Sequence, residues 1–232
     1  MKKAVILASG GLDSTVAAAV ARRDGYRLYL LTIAYGQRHR VEIDAARRVA
    51  GALEADRHLV LELDLRPIGG SALTGDLAVP KRRSADERRR GIPATYVPGR
   101  NMIFLAVASA YAETVDASTV YIGANVIDYS GYPDCRPEFL QAFEHAARVG
   151  TKAGTEGRGV NIHAPLLLLP KADIIRLGQS LRVPFEMTHS CYDPTSDGAA
   201  CGECDSCLTR LEGFRAAGVT DPIRYAAGTR AG

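Results

Sequence analysis

An apolar run from Ala4 to Ala8 (AVILA) breaks into SGGLDS at Ser9 to Ser14, and a helical pattern, TVAAAVARR, begins at once. This order predicts a buried strand, a tight turn and a helix start. Gly10 and Gly11 let the backbone turn sharply and come close to an anion. The N–H groups from Ala8 to Thr15, the hydroxyls of Ser9, Ser14 and Thr15, and the positive end of the helix dipole can then bond phosphate oxygens. A plain helix cap would account for Asp13 and Ser14, but it leaves the paired glycines unexplained. The loop lacks G-x-x-x-x-G-K-[ST] and G-x-G-x-x-G, which removes the Walker A and Rossmann dinucleotide sites.

Alternation continues with strand YLLTIAY (29–35), helix VEIDAARRVAGAL (41–53) and a third strand at Arg57 to Asp64. Strands alternating with helices predict an α/β fold, a doubly wound parallel sheet with helices on both faces. Gly25 stands where a helix C-cap belongs. From Arg66 to Gly99 periodicity fails and a long loop is expected, its basic run 81–90 solvated and mobile. A helix over 101–116, a strand STVYIGAN, a helix near 137–149 and a helix starting near Pro170 follow. With 232 residues, a single domain spanning 1–232 is expected. The lysines of MKK precede an apolar run that ends at Ser9, too short for a signal peptide. No run reaches the ~18 apolar residues of a membrane span. The protein is therefore expected in the cytoplasm. A net charge of +3 falls short of a nucleic-acid footprint.

Cys191, Cys201, Cys204 and Cys207 are spaced C-x9-C-x2-C-x2-C. Four thiolates in this spacing suit tetrahedral Zn²⁺, and a complete Cys₄ set leaves no open position, so one structural zinc per chain is expected within a segment 186–215. An iron–sulfur cluster is the competing metal reading. Disulfides fit a reducing compartment poorly. Cys135 stands apart and reads as an ordinary buried cysteine. His39 and His189 lie beside motifs, and neither is given a role.

SGGLDS resembles the loop of the pyrophosphatase-type (PP-loop) ATP family, whose members split ATP between the α and β phosphates and transfer AMP to an oxygen. Taken with YGQRHRVE, YVPGRNMIF, GANVIDYSGYPDCRPEF, APLLLLPKADII, SCYD and CGECDSCLTR, it makes the chain similar over nearly its whole length to the 7-cyano-7-deazaguanine synthase family of queuosine-precursor biosynthesis. That resemblance implies a sheet of the adenine-nucleotide alpha-hydrolase-like type with a C-terminal zinc-bound helical and loop segment. It also implies conversion of 7-carboxy-7-deazaguanine and ammonia to the nitrile through an adenylated carboxylate and an adenylated amide, using two ATP with Mg²⁺, in a homodimer that takes small molecules and neither nucleic acid nor membrane.

Ala8, Ser9, Gly10, Gly11, Leu12, Asp13, Ser14 and Thr15 then form the ATP loop, with Arg38 a further ATP contact. Asp13 either assists Mg²⁺ or positions the loop. Developing phosphate charge needs fixed cations, and Arg100 and Lys171, each at a helix start, are the candidates beside Ser14 and Asp13. DYSGYPDCR follows a strand and so lies at the carboxyl edge of the sheet. There Asp128, Ser130 or Asp134 can bond the guanine-like face, and Tyr129 or Tyr132 can stack on it. Two other readings stay open, a tRNA-modifying thiolase or ligase sharing the loop, and a non-enzymatic zinc-stabilised nucleotide-binding module. The first lacks a strongly basic face, and the second leaves DYSGYPDCR and PGRN without a task.

Overall fold

A computed structural model of the chain describes residues 2–127 and 131–228. The elements are β1 (Lys3–Leu7), α1 (Leu12–Arg23), β2 (Arg27–Ala34), α2 (Val41–Ala52), β3 (Arg57–Glu62), α3 (Ala85–Arg88), α4 (Arg100–Val115), β4 (Thr119–Tyr121), α5 (Pro137–Gly150), α6 (Lys152–Thr155), β5 (Asn161–His163), α7 (Lys171–Ser180) and α8 (Asp205–Ala217). The five strands are all parallel, in the order β3-β2-β1-β4-β5. The doubly wound sheet read from the alternation is the sheet observed.

β1 and most of β2 are buried on both faces, which is why they read as unbroken apolar runs rather than alternating ones. Ala4, Ile6 and Leu30 pack with α1, α2 and α7 on one face, and Phe214 of α8 joins them. Val5, Tyr29, Leu31 and Ile33 pack with α4 and α5 on the other. α1 is apolar nearly all round, from Val16 to Ala21, because it lies between the sheet and α7, and its small alanines allow that close approach. β5 escaped the sequence reading. Three residues on a sheet edge, with only Ile162 partly buried between two exposed neighbours, produce no periodic signal.

The chain runs outward from β1 to β3 and then crosses back through α4 to place β4 on the other side of β1. β1 and β4 are therefore the switch point, and their carboxyl ends open a crevice where such sheets bind ligands. The SGGLDS turn leaves β1 and the GAN segment leaves β4. Gly123 is needed there, since a Cβ on it would lie 2.8 Å from the Ser14 backbone nitrogen.

The loop over 66–99 holds only a 3₁₀ turn at Arg66–Ile68 and the single turn α3, the latter closed by a reciprocal capping box between Ser84 and Glu87. Its basic run 81–90 is exposed over most of its length, as expected of a solvated stretch, yet four of its side chains are paired. Lys81 pairs with Asp193 at 2.7 Å, Arg82 with Glu203 at 2.5 Å, Arg83 with Asp205, and Arg88 with Glu212 at 2.5 Å. The partners lie more than a hundred residues away in the cysteine segment, so the complementarity could not be read locally.

The C-terminal segment is locked by a buried ion pair. Arg210 on α8 donates to Asp221 at 2.6 and 2.9 Å, to the Thr188 hydroxyl at 2.8 Å and to the Phe185 carbonyl, while the Tyr225 hydroxyl donates to Asp221. Side-chain exposure is 3% for Arg210 and 1% for Asp221. Breaking such a pair strands a charge in the interior. Asp221→Ala is expected to cost about 3–5 kcal/mol, read as a lowered urea midpoint at unchanged slope.

Candidate functional site

A cavity of about 200 Å³ opens at the switch point. Its floor is the phosphate loop, with Ala8, Ser9, Gly11, Leu12, Asp13 and Ser14 in the lining. Gly10 has φ +81°, and a Cβ there would meet the Glu42 carbonyl oxygen at 2.4 Å and the Ala46 nitrogen at 2.5 Å. Only glycine fits where α2 presses on the turn. Ser9 and Ser14 hydroxyls lie 3.1 Å apart, Ser9 Oγ accepts from Gly11 N at 3.2 Å, and Ser14 Oγ accepts from Ser9 N at 3.2 Å. The two serines thus brace the turn that an incoming phosphate would meet. Thr15, expected among the hydroxyl donors, is buried, and its hydroxyl donates to the Gly11 carbonyl at 2.8 Å. It shapes the helix start.

Lys171 opens α7 and reaches back across the fold to Asp13, donating to both carboxylate oxygens at 2.6 and 2.8 Å. The pair is well buried, at 7% and 20% side-chain exposure. Both oxygens of Asp13 are thus engaged by the Lys171 ammonium, which ties the start of α1 to the start of α7. Lys171 is steered by the turn before it: Asn125, just after β4, donates to the carbonyls of Leu166 and Leu169 at 2.6 and 2.8 Å.

Arg100 lines the cavity from the first residue of α4, its guanidinium carbon 5.9 Å from the Tyr35 ring centroid. Gly99 takes φ +62° to start that helix. Asp134, expected to read a base, is buried and caps α4 instead, accepting from Asn101 N at 2.8 Å. Tyr132 does line the cavity, its ring 5.7 Å from Tyr96 and its hydroxyl 3.1 Å from that of Thr95. Asp128, Tyr129 and Ser130 lie outside the described residues. Arg38 turns away from the cavity and donates to the carbonyls of Gly75 and Leu77 at 2.7 and 2.6 Å, pinning the long loop.

The structure adds residues the sequence did not single out. Tyr35, Gln37 and Glu42 enter the cavity from the segment that carries Arg38, and Phe104 enters from α4. No periodicity marks a non-regular stretch such as 35–40, so nothing there told inward side chains from outward ones. Burial pushes the Tyr35 hydroxyl up to about 12. It also pushes the Glu42 carboxyl up to about 7, against the opposing pull of Arg100. Burial raises the Cys135 thiol to about 11, which keeps it protonated and fits its reading as a non-nucleophile.

The four cysteines converge. Cys191, Cys201, Cys204 and Cys207 are all buried, none is in a disulfide, and their sulfurs lie within 4.8 Å of one another. A tetrahedron with Zn–S of about 2.3 Å has sulfurs about 3.8 Å apart, and the Cys201 and Cys207 sulfurs stand at 4.0 Å. Backbone N–H groups of Cys201, Asp193, Glu203, Cys204 and Tyr192 point at the sulfurs at 3.2 to 3.5 Å, the environment that favours thiolates. The cluster can hold a tetrahedral metal ion such as zinc. It also touches the cavity floor. His189 N donates to the Gly10 carbonyl at 2.8 Å, and Ser190 Oγ accepts from Leu12 N at 3.3 Å, one residue before the first cysteine.

No described helix is long and apolar enough to cross a membrane. Among solved structures, the chain shares its fold with an NMN synthetase from Francisella tularensis, at TM-score 0.50 and 16% identity over 98% of this chain and 80% of that one. Curated relatives are far more similar. A 7-cyano-7-deazaguanine synthase from Solidesulfovibrio magneticus is 59% identical over 225 residues, 97% of this chain and 96% of the relative. One of the same name from Myxococcus xanthus is 55% identical over 97% and 98%. The family model described as queuosine biosynthesis protein QueC matches residues 3–218. A phosphate loop at the switch point, a cavity above it and a four-cysteine cluster braced against its floor thus sit in a chain that belongs to the QueC family of queuosine biosynthesis proteins.

Proposed function

We infer that this chain is a carbon–nitrogen ligase that converts 7-carboxy-7-deazaguanine and ammonia to 7-cyano-7-deazaguanine, consuming two ATP and releasing two AMP and two pyrophosphates. The observation that carries the reading is the Ser9–Ser14 loop on the floor of a cavity, in a chain 59% identical over 97% of its length to a relative of that name.

A carboxylate resists attack by ammonia until one oxygen becomes a leaving group. Its oxygen attacks the α phosphorus of ATP, and pyrophosphate departs. Ammonia then adds to the carbonyl carbon and AMP leaves, giving the amide. The amide oxygen is adenylated in turn with release of pyrophosphate and one N–H proton, and loss of AMP and of the last N–H proton yields the nitrile. Backbone N–H groups of the loop and the Ser9 and Ser14 hydroxyls hold phosphate oxygens. Arg100 faces the negative charge that develops, and Lys171 holds Asp13 so that the loop keeps its shape. Fixed charges already aimed at the site need no reorganisation during reaction, which makes them the largest contributors in this class of chemistry. Tyr132, with Asp128, Tyr129 and Ser130, takes the deazaguanine. Mg²⁺ accompanies ATP as its counter-ion, and zinc at the cysteines is structural, since four thiolates leave it no open position. A single domain acting as a cytoplasmic homodimer completes the reading.

Purified protein given ATP, ammonium and the 7-carboxy compound is expected to form two AMP per nitrile. Unchanged substrate without AMP, in protein with its cysteine site loaded, would falsify the assignment.

A further inference from the structure

Ammonia brings three hydrogens to this reaction and the nitrile nitrogen keeps none. Water alone is a poor acceptor inside a partly closed cavity, so the chemistry asks for a base within reach of that nitrogen. Neither Lys171 nor Arg100 can serve, because both are there as cations. Asp13 is engaged through both oxygens by Lys171.

Glu42 has the placement. It sits in the first turn of α2, and its backbone carbonyl is packed against the phosphate loop so closely that a Cβ on Gly10 would lie 2.4 Å from it. Its side chain lines the same cavity as Ser9, Ser14 and Arg100. Among the described residues its carboxylate makes no hydrogen bond and no ion pair within 4.0 Å. A carboxylate turned inward at a reaction site and left unbonded by the protein is available to substrate.

We propose that Glu42 is the catalytic base that takes the protons shed by the incoming nitrogen, in amide formation and again in nitrile formation; this rests on the function inferred above. In the first step the nitrogen lone pair forms the C–N bond, a proton passes from nitrogen to the Glu42 carboxylate, and the C–O bonding pair leaves with AMP. Adenylation of the amide then forms the O–P bond as pyrophosphate leaves, and the iminium so made gives one N–H proton to solvent, leaving a C=N–H imidate. In the last step its one remaining N–H proton passes to Glu42, the N–H bonding pair becomes the third C–N bond, and AMP again carries off the C–O pair. Between steps Glu42 returns its proton to solvent.

The other titratable or charged groups facing the cavity are the phenols Tyr35, Tyr132 and Tyr192, the Cys135 thiol, His189, Asp13 and Arg100. Burial keeps Tyr35 and Cys135 protonated, at about 12 and about 11. Glu42, pushed up to about 7 by burial, exchanges its proton near neutrality, where a base is most effective. The sign follows: below about pH 7 Glu42 holds a proton and cannot accept another, so the rate falls on the acid side.

The test separates adenylation from nitrogen chemistry. Substrate-dependent exchange of labelled pyrophosphate into ATP, without ammonia, reads the first step, and conversion of the amide to the nitrile reads the last without any ammonia term. Glu42→Gln is expected to keep exchange within about threefold while slowing nitrile formation by about 100-fold or more. Wild-type amide-to-nitrile rates are expected to rise tenfold per pH unit up to about 7 and then level, with that limb missing in E42Q. The proposal is overturned if exchange and nitrile formation fall together, if only the KM for the 7-carboxy compound rises, or if the loss is below about fivefold. Should E42Q not fold, a wild-type amide-to-nitrile rate that is flat between about pH 5.5 and 8.5 overturns it without any variant. A wild-type protein that forms no AMP with either substrate fails the proposed function itself; active wild type with an equally active E42Q fails the Glu42 assignment alone.

Discussion

Protein stripped of its cysteine-bound metal is expected to melt at least about 10 °C lower than the loaded form, corresponding to roughly 4 kcal/mol or more for a chain of this size, and to lose pyrophosphate exchange with it. Four buried sulfurs within 4.8 Å of one another repel as thiolates, and the backbone N–H groups aimed at them offset that charge far less than a divalent cation does. The damage should not stay local. Lys81, Arg82 and Arg83 of the long loop are paired to Asp193, Glu203 and Asp205, which flank or adjoin the ligands. His189 and Ser190, immediately before Cys191, hold the phosphate loop at Gly10 and Leu12. Cys204→Ser, which removes one buried ligand, is expected to reproduce the effect. Thermal melts with metal analysis of the same samples decide it. Equal midpoints for loaded and stripped protein would show that the cluster does not carry this part of the fold.

Replacing Lys171 by methionine should reduce nitrile formation by about 10²-fold, the loss that misplacing a positioning element by about 1 Å can bring, and destabilise by about 3–5 kcal/mol because the Asp13 carboxylate is left buried without its partner. Lys171→Arg should not restore activity. The lysine stem runs past Gly213 of α8 with no space to spare, since a Cβ on Gly213 would lie 2.2 Å from Lys171 Cγ. Gly213→Ala should therefore weaken turnover in the same direction by displacing the ammonium. Steady-state rates beside urea midpoints distinguish the two effects. A Lys171→Met protein with near-normal rates would remove Lys171 from the reaction.

Much of the fold was readable because its signals are local. The doubly buried β1 and β2 write unbroken apolar runs, α5 and α7 begin beside prolines, and Gly10 marks a turn no bulkier residue could make. The Cys₄ spacing likewise announced its cluster, because two x2 gaps bring sulfurs together with little help from the rest of the chain. The three-residue β5 was invisible for the opposite reason, being too short to show a period.

Within the site, the division follows the range of the contact. Ser9, Ser14, Asp13, Arg100 and Lys171 were named from helix starts and loop chemistry, which a short segment fixes by itself. Whether a polar residue in irregular chain faces the cavity is set by what packs against it from far away. So Arg38 turned out to pin the loop at Gly75 and Leu77, Asp134 to cap α4, and the basic run to clasp acids over a hundred residues distant. Glu42, closing the segment that contributed Arg38, became visible only when α2 was laid on the phosphate turn. The sequence by itself determined the sheet, the tight Ser9–Ser14 turn after β1 and the convergence of the four cysteines, each encoded in residues near one another along the chain. Only the tertiary structure decided which side chains share the cavity, because that depends on crossovers bringing β1, α2, α4 and α7 to one edge, and desolvation there is a property of the assembled site.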